Sequence, residues 1–211
     1  TVAELAAASG GVPLFAVELG RAISSGAGQR VPTHLGELLA ARIDSLEQAA
    51  RDLLLDASVL GSTFWAEAIG ADPAALDALL QREFVVPVEP STVAQAHEYR
   101  FRHDLLRDAA YERLLRPDRA RGHLAAARWW AALERATDQA IVAEHAWLAH
   151  ELFTAAGVTD PAAAEAADVA RRASRAAAVA ARGLDTAAAV TSLERAVALS
   201  VGRPEEAATL V

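Results

Sequence analysis

The stretch FVVPVEPSTVAQAHEYRF, residues 84–101, interrupts a chain in which apolar residues otherwise recur three and four apart. Its two ends, FVVPV (84–88) and EYRF (98–101), carry the β-branched and aromatic residues that suit a pleated surface, and the polar run between them suits a loop. A β-hairpin is predicted there. Upstream, Asp72 and Pro73 are placed to cap and open a helix carrying Leu76, Leu79 and Leu80. Before it, a short turn of helix is expected around Phe64 to Ile69, ended by Gly70. Further back, Leu35, Leu39, Ile43 and Leu46 make one helical stripe. Ser45 and Gln48 have capping-box spacing for a second helix through Leu53, Ala57 and Leu60, with Gly61 as its stop.

Downstream of the hairpin, Asp104 is expected to cap a last helix. Leu105, Leu106, Ala109, Ala110 and Leu114 would form its buried face, and Glu112 and Arg116 have the spacing of an i, i+4 pair. Helix, turn, helix and then hairpin is the order of a winged helix, with bounds of about 31–116.

Two other regions flank this one. Residues 1–30 read as a short helix broken by Ser9-Gly10-Gly11, a restart at Pro13 with Phe15, Leu19, Ala22 and Ile23 on one face, and a loop over SSGAGQR. Residues 117–211 are alanine-rich helices punctuated by Asp118, Gly157, Asp160-Pro161, Gly183 and Pro204, the pattern of an α-solenoid. Within them GLDTAAAVTSLERAVALS has Ala189, Leu193 and Ala196 at packing intervals and resembles half of a tetratricopeptide repeat. The expected class is therefore mainly α: a winged-helix domain with a small β-hairpin, followed by TPR-like helices.

Composition narrows the chemistry. The chain has 211 residues, 53% of them hydrophobic, enough for one or two cored domains. All 20 basic residues are arginine, and cysteine is absent, which removes disulfides and thiolate ligands and fits a cytoplasmic setting. No apolar run reaches the roughly 20 residues of a membrane span, and no basic start marks a secretory signal. The chain reads as a piece of a longer one, beginning and ending inside helical patterns.

Without lysine there is no G-x-x-x-x-G-K-[ST] phosphate loop, and no G-x-S-x-G elbow occurs. His145 and His150 are five residues apart, about 140° around a helix, so they do not share a metal-ligand face. Trp129-Trp130 suits either a stacking platform or a packed interface. The segment from Pro73 to Glu83, in the position of a DNA-recognition helix, holds two acids and one arginine, poor material for a phosphate backbone. Nine arginines against five acids between Arg100 and Arg135 suit a salt-bridged face, and the net charge is −8.

Two motifs carry a family resemblance. GGVPLFAVELGRAI (10–23) resembles the G-x-P segment that closes the nucleotide-binding region of STAND regulatory ATPases, and RHDLLRDAAY (102–111) is similar to the M-H-D-L motif of their winged-helix domain. The order and the spacing of about 90 residues agree, with arginine (Arg102) in place of methionine. The resemblance covers Thr1 to about Arg116. It implies that residues 1–30 end a nucleotide-binding module, that Pro13 packs near adenine, and that His103 contacts the β-phosphate of ADP in a closed, inactive state. It also implies a parent protein using ATP or ADP with Mg, such as a bacterial regulator fused to a LuxR-type DNA-binding or an adenylate-cyclase domain.

Physical chemistry agrees with that role for His103. A helix N-terminus favours anions and disfavours a further positive charge, so the imidazole is expected to titrate lower without phosphate and higher with it. The reading is a nucleotide-state-sensing switch and sensor arm rather than an enzyme. Its expected partners are the upstream nucleotide-binding module and a protein or small-molecule inducer on the helical repeats. No membrane is expected, and no direct DNA binding by this piece. The alternatives are a nucleotide-independent interaction scaffold and an independent winged-helix DNA-binding regulator.

Overall fold

The computed structural model describes residues 17, 35–181 and 185–200. Pro13 and the segment expected to end a nucleotide-binding module therefore lie outside the described residues, apart from position 17, as do Gly183 and Pro204. Among the described residues the protein is mainly helical, with a small antiparallel sheet.

The first part contains α1 (Leu35–Asp44), α2 (Gln48–Leu60), β1 (Thr63–Trp65), α3 (Pro73–Gln81), β2 (Val85–Val88), β3 (Glu98–Phe101) and α4 (Asp104–Arg113). Asp72 caps α3 as expected, its carboxylate accepting from the Ala75 N–H at 2.8 Å, with Pro73 in the first turn. Gly61 ends α2 and Gly70 turns the chain at φ 58°, a conformation that favours glycine.

Several expectations need correction. The stretch 64–69 is not simply a turn of helix: Thr63–Trp65 is a strand and only Ala66–Ala68 coil, as a 3₁₀ turn. Alternation of Phe64 and Trp65 to opposite faces outweighs local helix preference there, because each ring has its own core to fill. Ser45 and Gln48 do not form a capping box. The cap residue of α2 is Glu47, while the Ser45 hydroxyl donates to the Arg42 carbonyl and accepts from Arg82, and Gln48 donates to Asp52.

The sheet has the order β1-β3-β2. β3 pairs with β1 through Phe64 opposite Tyr99, and with β2 through Val85 opposite Phe101. Pro87 is tolerated because β2 is an edge strand. Phe64 stacks on Tyr99 and meets Phe101 edge-on, joining Phe84, Leu54, Leu79, Ile43 and Leu106 in one core under α1, α2 and α4.

The second part is α5 (Arg116–Ala132), α6 (Gln139–Ala155), α7 (Pro161–Ala181) and α8 (Thr186–Ala198). α6 packs between α5 and α7, and α8 packs on α7, while α5 also meets α2. Asp160 caps α7 and Asp185 caps α8, accepting from Ala163 and Ala188 at 3.0 Å each, and Gly157 turns the α6–α7 connection at φ 67°. Ala189 and Ala196 are buried on the inner face of α8. The facing surfaces of α5–α7 are built largely from alanine, including Ala127, Ala146, Ala149, Ala166 and Ala170.

The two parts share a wall. Trp65 from β1 and Val93 from the hairpin loop are buried against Ala127, Trp130 and Val142 of the array. The Trp65 ring stacks on Trp129 at 5.6 Å and meets Trp130 edge-on at 4.9 Å. Nearby α5 approaches α2 so closely that a Cβ at Gly122 would lie 2.9 Å from Val59 Cγ2.

Candidate functional site

The chain leaves β3 with its backbone fastened on both sides, since the Phe101 N–H donates to the Ser62 carbonyl and the Arg102 N–H to that of Phe84. His103 follows in extended conformation as the residue preceding α4, and its carbonyl accepts the first helical bond, from Leu106 at 3.0 Å. The expected cap was Asp104. That assignment is one residue off, and the His103 ring makes no capping bond. Asp104 is instead the first helical residue, and its carboxylate accepts from the Ser62 hydroxyl at 2.6 Å, which ties the start of α4 to the entry of β1.

His103 is half-buried and lines an open cavity of about 370 Å³ with Arg100, Phe101, Arg102, Asp104 and Leu105. Arg102 lies 3.9 Å from Glu83 with both side chains substantially exposed, a separation at which pairing contributes little. Two guanidiniums, an imidazole and a helix N-terminus thus surround one polar hollow, with Asp104 engaged by Ser62 at its edge. Such a hollow can receive an anionic oxygen.

The buried face of α4 also differs from expectation. Leu106 and Ala110 are buried, but Leu105 is 49% exposed on the cavity side. The helix ends at Arg113, where Leu114 turns extended, so Glu112 and Arg116 are not on one helix and their i, i+4 pairing does not arise. Arg113 reaches Asp44 of α1 at 2.7 Å, and Arg119 donates to the Glu112 carbonyl.

A second polar constellation joins α4 to the array. The Tyr111 hydroxyl lies 2.9 Å from His123 Nε2, and His123 Nδ1 lies 2.9 Å from His145 Nδ1. His123 is 3% exposed and His145 9%. One proton lies between the two Nδ1 atoms; if His123 supplies it, Tyr111 donates to His123 Nε2, and if His145 supplies it, His123 donates to Tyr111. Guanidiniums of Arg107 and Arg119 sit over the Tyr111 ring at 4.8 and 4.6 Å. Burial, then the neighbouring His145 and these arginines, push His123 down to about 3. Burial, opposed by Glu144, pushes His145 down to about 4. Both rings are held neutral, which suits a structural joint between two helical layers.

Sequence reasoning compared His145 with His150, its neighbour in the chain, and overlooked His123. The missed signal is helical phase: Ala120, His123, Leu124 and Ala127 share one face of α5, and all are buried. Of the two readings open for Trp129-Trp130, the structure selects interface packing, with Trp130 buried and both rings against Trp65. Among the described residues no group of three or more His, Asp or Glu side chains could hold a metal ion, and no helix is long and apolar enough to cross a membrane. Several of the arginines between 100 and 135 are paired, Arg128 with Glu165, Arg121 with Asp118 and Arg135 with the buried Asp138.

Within the hairpin, the buried Glu98 carboxylate accepts from the Thr92 N–H at 2.6 Å and the Thr92 hydroxyl at 2.7 Å. Burial alone would raise its carboxyl, but these bonds outweigh it and hold it below the ordinary range. They fold the loop so that Val93 reaches the array. No family model matches the chain, and no curated protein or solved structure matches it either.

Proposed function

We propose that this chain is the switch and sensor-arm portion of a STAND-type signalling ATPase, a bacterial transcription regulator being the implied parent. In this reading residues 31–116 form a winged helix and the helices after Arg116 begin a TPR-like arm. The order of α2, β1, 3₁₀ turn, α3, β2 and β3, with β3 between β1 and β2, supports the winged-helix part. The observation that carries the functional reading is the open hollow before α4, where His103, Arg100 and Arg102 converge. A diphosphate presented there by a nucleotide-binding module would gain charge-assisted hydrogen bonds and complement the helix terminus.

Held in that way, ADP favours the closed arrangement; replacement by ATP would weaken the contact and let the winged helix and arm move as a unit, a two-state change biased by differential contacts. Catalysis belongs to the upstream module, and the chemistry of the chain supplies only the reader. In the full-length protein, His103→Ala should retain less ADP through purification than wild type. Nucleotide content equal to wild type refutes the assignment of His103. Salt-sensitive duplex binding by the chain alone would instead favour an independent DNA-binding regulator.

A further inference from the structure

We propose that the groove between α2 and α5 is a docking site for a helix of a partner protein that presents an arginine or lysine beside leucine-type side chains. The groove encloses about 620 Å³. Its floor is apolar and only half-buried, formed by Leu55 and Leu60 of α2, Ile69 after the 3₁₀ turn, and Leu114 before α5. A cleft between two packed helices whose floor is left partly in water is the shape that receives the apolar ridge of a third.

Charge selects the occupant. Asp52 and Asp56 stand one turn apart on α2, and Asp118 faces them from the first turn of α5. Asp118 has a counter-ion in Arg121 at 3.2 Å, but that arginine also leans toward Asp160 at 3.8 Å. Asp52 accepts from the Gln48 amide at 2.7 Å, which carries no charge. Among the described residues no cation forms an ion pair with Asp52 or Asp56. Like carboxylates one helical turn apart destabilise a helix, and here a third faces them across an apolar floor. The walls of the groove and the repulsion of Asp52 and Asp118 raise the Asp56 carboxyl above its ordinary range. A guanidinium or ammonium entering at this rim would relieve that repulsion while apolar side chains beside it cover the floor.

The position gives the contact a consequence. One wall belongs to the sheet-bearing part and the other to the array, next to the close approach of Gly122 to Val59. An occupant therefore bridges the two parts and changes how firmly they are held together. The inference does not depend on His103 reading a phosphate.

A fluorescein-labelled synthetic peptide of about four helical turns, with leucines at helical intervals and two flanking arginines, is the probe, alongside a twin with glutamate for arginine. Fluorescence anisotropy is expected to report saturable binding of the arginine peptide to the whole chain and none of the glutamate twin. Asp52→Asn with Asp56→Asn should weaken binding about tenfold or more. Ala125→Trp, at an exposed position on the groove wall, should weaken it as much without changing charge. Removing two acids elsewhere, with Asp77→Asn and Glu151→Gln, should leave affinity within about twofold. Far-ultraviolet circular dichroism confirms that each variant is folded. Equal losses from the remote and groove acid pairs, unchanged binding by Ala125→Trp, equal binding of the twin, or no binding of the arginine peptide would each overturn the proposal.

Discussion

Around the sheet the core is made of Phe64, Phe84, Phe101, Leu54, Leu79 and Ile43, all of them nearly or wholly out of solvent, whereas between α5, α6 and α7 the same role falls to alanines such as Ala127, Ala143, Ala146 and Ala170. Large side chains give the first part most apolar area per residue and a shape that only one arrangement fills. Alanine forms helices readily and lets their axes approach, but each residue removes little apolar surface from water. Both parts bury polar groups, Ser58 and Glu98 in the first, but the array buries more of them, His123, His145, Arg171 and Ser174 included. The hollow at His103 borders the bulky core, whereas the array is held by close contacts between small side chains.

Phe84 is fully buried and has the Arg42 guanidinium 4.4 Å above its ring. Phe84→Ala should cost about 3–5 kcal/mol in urea unfolding. A loss below about 1 kcal/mol would mean that the sheet-side core is no better packed than the array. The opposite experiment adds volume where alanine is needed. Ala146→Leu, at a wholly buried position on α6, should cost about 1–3 kcal/mol by overpacking. A neutral or stabilising result would show slack between α5, α6 and α7.

Acid acts more gently, through the two buried histidines of the array. His123 and His145 have values near 3 and 4 in the folded protein, against an ordinary 6.5. As pH falls below about 6.5 the unfolded chain takes up these protons first, so stability declines through the window down to about 4. The slope is at most about 1.4 kcal/mol per pH unit for each ring. Urea midpoints measured at pH 7.5 and 5.5 should differ accordingly, and the double substitution His123→Gln with His145→Gln should remove most of that difference. An unchanged pH dependence in the double variant would separate acid sensitivity from this joint. Glu98 and Asp138 act lower, since their depressed carboxyls are stabilising above the ordinary carboxylate range and lose that contribution as pH falls through it.

Much of the first part was legible because its signals are local. Asp72-Pro73, Gly61, Gly70 and the two strands at 85–88 and 98–101 each act through a few neighbouring residues. What escaped depended on partners far along the chain. β1 exists because Phe64 and Trp65 pair with Tyr99 and Glu98, more than thirty residues away. Asp104 is drawn to Ser62, and Leu105 is left outside because α4 turns Leu106 and Ala110 inward. In the array the alanine-rich pattern marks helices but says little about which faces meet, so the contact between His123 and His145, 22 positions apart, had no local trace. At the candidate site, His103 was legible as a residue at a strand-to-helix junction; its company with Arg100 and Arg102 in one hollow came only with the register of β3.

The central claim, that His103 reads a phosphate supplied by an adjoining nucleotide-binding module, is tested most directly by the release rate of a fluorescent ADP analogue from the full-length protein. Loss of one charge-assisted hydrogen bond, about 1.5–3 kcal/mol, predicts release roughly 10- to 150-fold faster from His103→Ala than from wild type. A release rate unchanged within about twofold would contradict the account.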